Sequence, residues 1–132
     1  MIATAADRSA IASRWTEDRL VAVVLCAAWC DTCTEFRAAF ERIAGMRPEA
    51  LCLWLDIEDD AAVCGDIDVE NFPTIAIYRG GSLLHYGIAL PQEGTVARLI
   101  DEIALRSEAL RDAPEPVLAL ARTLRNSGSG SG

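Results

Sequence analysis

With 132 residues, 52% of them hydrophobic and 24% charged, the chain has the size of one globular domain around a single core and is too short for two ordinary ones. Twelve Lys+Arg against twenty Asp+Glu give a formal net charge of -8, which repels phosphate backbones and anionic lipid surfaces, so neither nucleic acid nor a membrane is an expected partner. Five cysteines beside a single histidine make an odd thiol count, and at least one thiol stays free in any monomer.

In chain order, the opening MIATAADRSAIASRW lacks a basic stretch followed by an apolar one, so it does not read as a secretory signal. No apolar run reaches the ~20 residues needed to span a bilayer. The expected compartment is therefore a reducing cytosol, where cysteines serve as buried thiols, metal ligands or redox catalysts. Residues 5–15 place Ile11 and Trp15 four apart among polar neighbours and predict a short helix. Residues 20–28 form an uninterrupted, valine-rich apolar run, the pattern of a central strand covered on both faces. From 34 to 46, Phe36, Phe40 and Ile43 recur at helical spacing opposite Glu35, Arg37, Glu41 and Arg42, and Gly45 with Pro48 marks the exit.

Residues 49–57 predict a second buried strand, parallel to the first if the helix between them is a right-handed crossover. Residues 60–67 allow a short helix. The runs 74–78 and 82–88 flank Arg79-Gly80-Gly81 and predict an antiparallel hairpin. Residues 92–110 carry Val96, Leu99, Ile100 and Ile103 on one stripe and predict the closing helix; Ala113-Pro114-Glu115-Pro116 breaks it, and a further short amphipathic helix is expected over 117–125. That appended helix either covers the domain's own apolar surface or docks a partner. The expected organisation is one α/β domain over 1–111, the added helix within 112–125 and a flexible Gly/Ser tail over 126–132.

Trp29-Cys30-Asp31-Thr32-Cys33 falls where the first strand ends and a helix begins. There Cys30 lies beside unpaired backbone N–H groups and the positive end of the helix dipole, which favour thiolate over thiol. Cys33 follows one turn later, within reach of Cys30 for a small disulfide loop, so that Cys30 attacks a protein disulfide and Cys33 resolves the mixed disulfide. The same spelling is half of a zinc site, but four convergent ligands are needed and no second CxxC or paired histidine supplies them. No metal and no bound cofactor is expected.

About forty residues later Phe72-Pro73-Thr74 opens the third strand. With the tryptophan before CxxC, the strand-and-acid element Leu55-Asp56-Ile57-Glu58 and the closing helix, this order resembles the thioredoxin family over roughly residues 5 to 108. The resemblance implies a mixed central sheet flanked by helices, a parallel βαβ half joined to an antiparallel ββα half. It implies dithiol–disulfide exchange on protein clients, with electrons from a reductase or a small dithiol. Cys30 matches the family's exposed nucleophile and Cys33 its resolving thiol. Pro73 matches the proline held cis beside the disulfide, Phe72 the residue whose backbone pairs with an extended substrate, and Trp29 the indole flanking the site.

Three departures bear on the chemistry. Asp31 and Thr32 replace the usual Gly-Pro, and the Asp31 carboxylate opposes thiolate formation at Cys30, which leans the protein towards reductase. The family's buried aspartate and lysine fall at Val24 and Trp54, so both members of that polar pair are gone together, and Cys33 lacks its usual base. Ala38 stands where a helix-kinking proline is usual. Cys26, four residues before Cys30 on the same strand, is either a third redox thiol or a small buried hydrophobe, with burial the expectation; Cys52 is expected to be buried and Cys64 the accessible thiol. Glu58-Asp59-Asp60 is expected to be a solvated loop. The rival to a redox enzyme is a thioredoxin-like binding or chaperone-type module with marginal turnover.

Overall fold

A computed structural model describes residues 2–65, 67, 69, 71–106 and 108–126. After a single 3-10 turn at Ala5–Asp7 come α1 (Arg8–Arg14), β1 (Leu20–Cys26), α2 (Asp31–Gly45), β2 (Ala50–Asp56), α3 (Ala61–Cys64), β3 (Thr74–Arg79), β4 (Ser82–Ile88), α4 (Glu93–Ala104) and α5 (Glu115–Asn126). The strands form one mixed sheet in the order β2-β1-β3-β4. β1 pairs parallel with β2 and antiparallel with β3, and β3 pairs antiparallel with β4. This is the thioredoxin-like architecture that the element order implied. The expected Gly/Ser tail lies, from residue 127 on, outside the described residues.

β1 is buried along its whole length, which is why its sequence is apolar without alternation. Its side chains still divide by parity. Val21, Val23 and Leu25 join one apolar cluster, while Leu20, Ala22, Val24 and Cys26 join the other. The first cluster is closed by Ile11, Trp15, Val63 and, from α5, Val117, Leu120, Ala121 and Leu124. The second is closed by Phe36, Phe40 and Ile43 of α2 and Val96, Ile100 and Ile103 of α4. The appended helix thus covers the domain's own sheet: Val117, Leu120 and Leu124 are fully buried, each worth about 1.5–3 kcal/mol of transfer from water. Tyr78 ties it down by donating its hydroxyl to the Val117 carbonyl at 2.8 Å.

α2 begins at Asp31, directly after Cys30, where the cysteine pair placed the start of a helix. One boundary differs from the sequence reading. α4 ends at Ala104 instead of near Leu110, because Arg79 donates to the Ala104 carbonyl at 2.7 Å and caps the helix there. Beyond it the Leu110 amide donates to the Leu83 carbonyl on edge strand β4 at 2.8 Å. The other edge is covered as well: Ala3 exchanges backbone hydrogen bonds of 2.9 Å with Cys52 and Trp54 of β2. Gly80, in the β3–β4 turn, has φ +57°, and a Cβ there would collide with the Glu17 backbone, so only glycine serves that turn.

Candidate active site

The end of β1 and the first turn of α2 meet at one edge of the α2-side cluster. Cys30 is the N-cap residue of α2, in extended backbone conformation. Its carbonyl accepts from the Thr34 amide at 3.1 Å and the Thr34 hydroxyl at 3.2 Å. Its own amide donates back to Ala27 at 3.0 Å. The side chain is half-buried against the α2-side cluster, and its thiol is free. Cys33, one turn on, is only 1% exposed.

Cys33 is disulfide-bonded to Cys26, the last residue of β1, with the two Cα atoms 5.9 Å apart. Two expectations are corrected here: the bridge is not the Cys30–Cys33 loop, and Cys26, although buried at 1% exposure as expected, is oxidised instead of a free thiol. The parity of β1 explains the pairing. Cys26 stands two residues from Val24 and on the same face, the one that α2 covers, so its sulfur points at the helix that carries Cys33. That parity was visible in the sequence and was the signal for a third cysteine at the site.

Around these sulfurs the sequence-predicted residues take distinct places. Trp29 is 66% exposed; its indole N–H donates to Glu58 at 2.6 Å, and its ring meets the edge of Phe72 with centroids 5.4 Å apart. The Phe72–Pro73 peptide bond is cis. The Pro73 carbonyl accepts from the Ala89 amide at 3.0 Å. Asp31 is exposed and Thr32 half-buried in the first turn of α2. The acidic loop is ordered by its own backbone: Asp56 accepts from the Glu58 and Asp59 amides, and Asp60 from the Asp56 amide, each at 2.8 Å.

Val24 and Trp54 are register partners across β1 and β2, so the two apolar residues lie side by side on the face that α2 covers. Trp54 packs against Phe36 and Phe40 with centroids 6.3 and 6.0 Å away. On its outer side the Arg37 guanidinium lies 5.1 Å from the ring centroid. A cleft of about 430 Å³, lined among others by Cys33, Arg37, Trp54 and Asp59, opens beside Cys33.

The other two thiols lie away from this chemistry. Burial in β2 pushes Cys52 up to about 11. Cys64, expected to be accessible, is 3% exposed in the other cluster, and burial, with Asp60 and Asp56 adding to it, pushes its thiol up to about 12. The apolar contacts of Val63 and Cys64 with the α5 side close off the surface that α3 alone would have left open. Both are thiols, not thiolates, at neutral pH.

The thioredoxin family model matches residues 4–102. The chain belongs to the thioredoxin family. Among its relatives, thioredoxin 2 of Chlorobaculum tepidum is 24% identical over 99 residues, covering 74% of this chain and 91% of that protein. Sulfhydryl oxidase 1 of Rattus norvegicus is 31% identical over 106 residues, 72% of this chain but 14% of that one. Of the solved structures, oxidised thioredoxin from Plasmodium falciparum superposes with a TM-score of 0.64 at 19% identity, over 79% of this chain and 99% of that one. Thioredoxin from Fasciola hepatica superposes at 0.59 and 23% identity, over 76% and 96%. The match ends at residue 102, and α5 lies beyond it. No helix among the described residues is long and apolar enough to cross a membrane.

Proposed function

We propose that this thioredoxin-family protein carries out dithiol–disulfide exchange on protein clients, with Cys30 as the attacking thiol and Cys33 as the thiol that resolves the mixed disulfide. The observation that carries this reading is Cys30 itself. It is a free thiol at the N-cap of a 15-residue helix and the one half-exposed sulfur of the three at the site. A sulfur there combines access with a helix terminus that stabilises negative charge. Trp29, Phe72 and Pro73 form the rim on which an extended client segment lies, by backbone pairing beside Pro73. Asp31 and Thr32 tune the attacking thiol, and the Asp31 carboxylate leans the direction towards reduction. The electrons come from a reductase or a small dithiol, which suits a reducing compartment such as the cytosol.

Insulin reduction in the presence of dithiothreitol tests this. Cys30→Ser abolishes turnover, and Cys33→Ser accumulates a client held on Cys30; wild-type rates in Cys30→Ser overturn the reading. The Val24–Trp54 pair favours a second one, because without the buried base turnover is slow and the Trp29–Phe72 rim serves as a client-binding platform. A client retained by the Cys30→Ser/Cys33→Ser double variant supports that alternative.

A further inference from the structure

Three sulfurs at this site share one disulfide, and the free one is the exposed one. Cys33 occupies the third helical position of α2, with Cys30 one turn before it on the outer side and Cys26 at the end of β1 on the inner side. Residues three apart on a helix are neighbours, and a Cα separation of 5.9 Å to Cys26 is within the ordinary range for a bridge. Cys33 therefore has a partner on either side, reached by different side-chain rotamers.

We infer that Cys26 is a third redox thiol, which takes the disulfide inward from Cys30–Cys33 to Cys26–Cys33 and leaves Cys30 free in the oxidised protein. This rests on Cys30/Cys33 exchange as proposed above. In the first step the Cys30 thiolate bonds to one sulfur of a client disulfide and the other client sulfur leaves as thiolate. The Cys33 thiolate then bonds to Cys30 and displaces the first client sulfur; the client has gained two electrons and the protein has lost two. In the added step Cys26, having given up its proton, bonds to the Cys33 sulfur and displaces Cys30 as thiolate, which takes up a proton. No electrons enter or leave in that step.

Its direction follows from burial. In that step the thiolate charge passes from the buried Cys26 sulfur to the half-exposed Cys30 at a helix N-terminus, and the bridge that forms joins two residues that are each 1% exposed. Burying a neutral bridge and leaving the charge outside is the favourable exchange. The oxidised protein then keeps an accessible nucleophile without a resolving partner. A second client disulfide attacked by Cys30 is held covalently until the inner bridge is reduced.

The test oxidises wild type and Cys26→Ala with a protein disulfide, quenches in acid, alkylates under denaturing conditions and maps the cysteines. Cleavage after Trp29 and before Asp31 separates all three. In wild type the label is expected on Cys30, with Cys26 bound to Cys33. In Cys26→Ala the label on Cys30 is lost and Cys30 is bound to Cys33. Under native conditions the oxidised wild type reacts with an aromatic disulfide reagent at Cys30, and this reaction is lost in oxidised Cys26→Ala. Oxidised wild type carrying Cys30–Cys33 with label on Cys26 overturns the inference and leaves the exchange reading standing. Wild-type insulin reduction by Cys30→Ser overturns both, so the two failures are told apart. The wild-type map alone decides if Cys26→Ala fails to fold.

Discussion

Towards α2 and α4 the sheet presents Ala22, Val24, Cys26, Cys52, Trp54, Ile75 and Ile77; towards α1, α3 and α5 it presents Val21, Val23, Leu25, Leu51, Leu53, Leu55, Ala76 and Tyr78. Both faces are sealed, yet they carry different loads. The α2 side holds the disulfide, the free Cys30 thiol packed at its margin and the Val24–Trp54 pair. The α5 side holds no part of the proposed chemistry and is closed by an element beyond the family region. Strand parity separates chemistry from ballast: moving one residue along β1 moves a side chain from one function to the other.

Substitutions that separate stability from reactivity break this comparison or sharpen it. The largest effect is expected for Phe40→Ala, which empties the aromatic contact with Phe36 and Trp54. It costs about 3–5 kcal/mol in denaturant unfolding and also lowers insulin reduction, because α2 positions Cys30. Leu120→Ala on the opposite side costs about 2–5 kcal/mol while the rate of Cys30 alkylation stays at the wild-type value. A fall in that rate equal to that of Phe40→Ala means that the two faces are coupled. Tyr78→Phe removes the hydroxyl bond to the Val117 carbonyl and costs about 1–2 kcal/mol, again without changing thiol reactivity.

His85 provides the pH arm. Its ring is partly desolvated, with Nε2 buried and without a hydrogen-bond partner among the described residues, and that desolvation, with Arg106 contributing, holds it below the usual imidazole value. The unfolded chain therefore binds a proton first as pH falls below about 6.5, so wild type loses stability on acidification until the folded ring also titrates. His85→Gln flattens that part of the profile between pH 7.5 and 5 in urea titrations, and equal pH slopes in the two proteins refute the assignment. The smallest effect belongs to Asp31→Asn: removing one exposed, screened charge beside Cys30 raises its alkylation rate by about twofold, and no change shows that Asp31 has no hold on the thiol.

Much of the fold was legible because its signals are local. The apolar runs of β1 and β2, the Gly80 turn and the stripe of α4 each follow from neighbours along the chain, and the spelling around Cys30 and Phe72-Pro73 pointed to the family. The end of α4 was not legible in the same way, because the helix stops where Arg79 from another strand meets its last carbonyl. Cys64 was misread because the surface that buries it is built partly by α5, fifty residues further on.

For the site, the sequence by itself determined which sulfur stands at a helix N-terminus and that an odd thiol remains. Only the tertiary structure decided which sulfur Cys33 takes. A disulfide is a contact in space, and the choice between a partner three residues along the helix and one at the end of a strand depends on where the crossover sets α2 down on the sheet. It sets the first turn of α2 beside the end of β1, on the face to which strand parity turns Cys26.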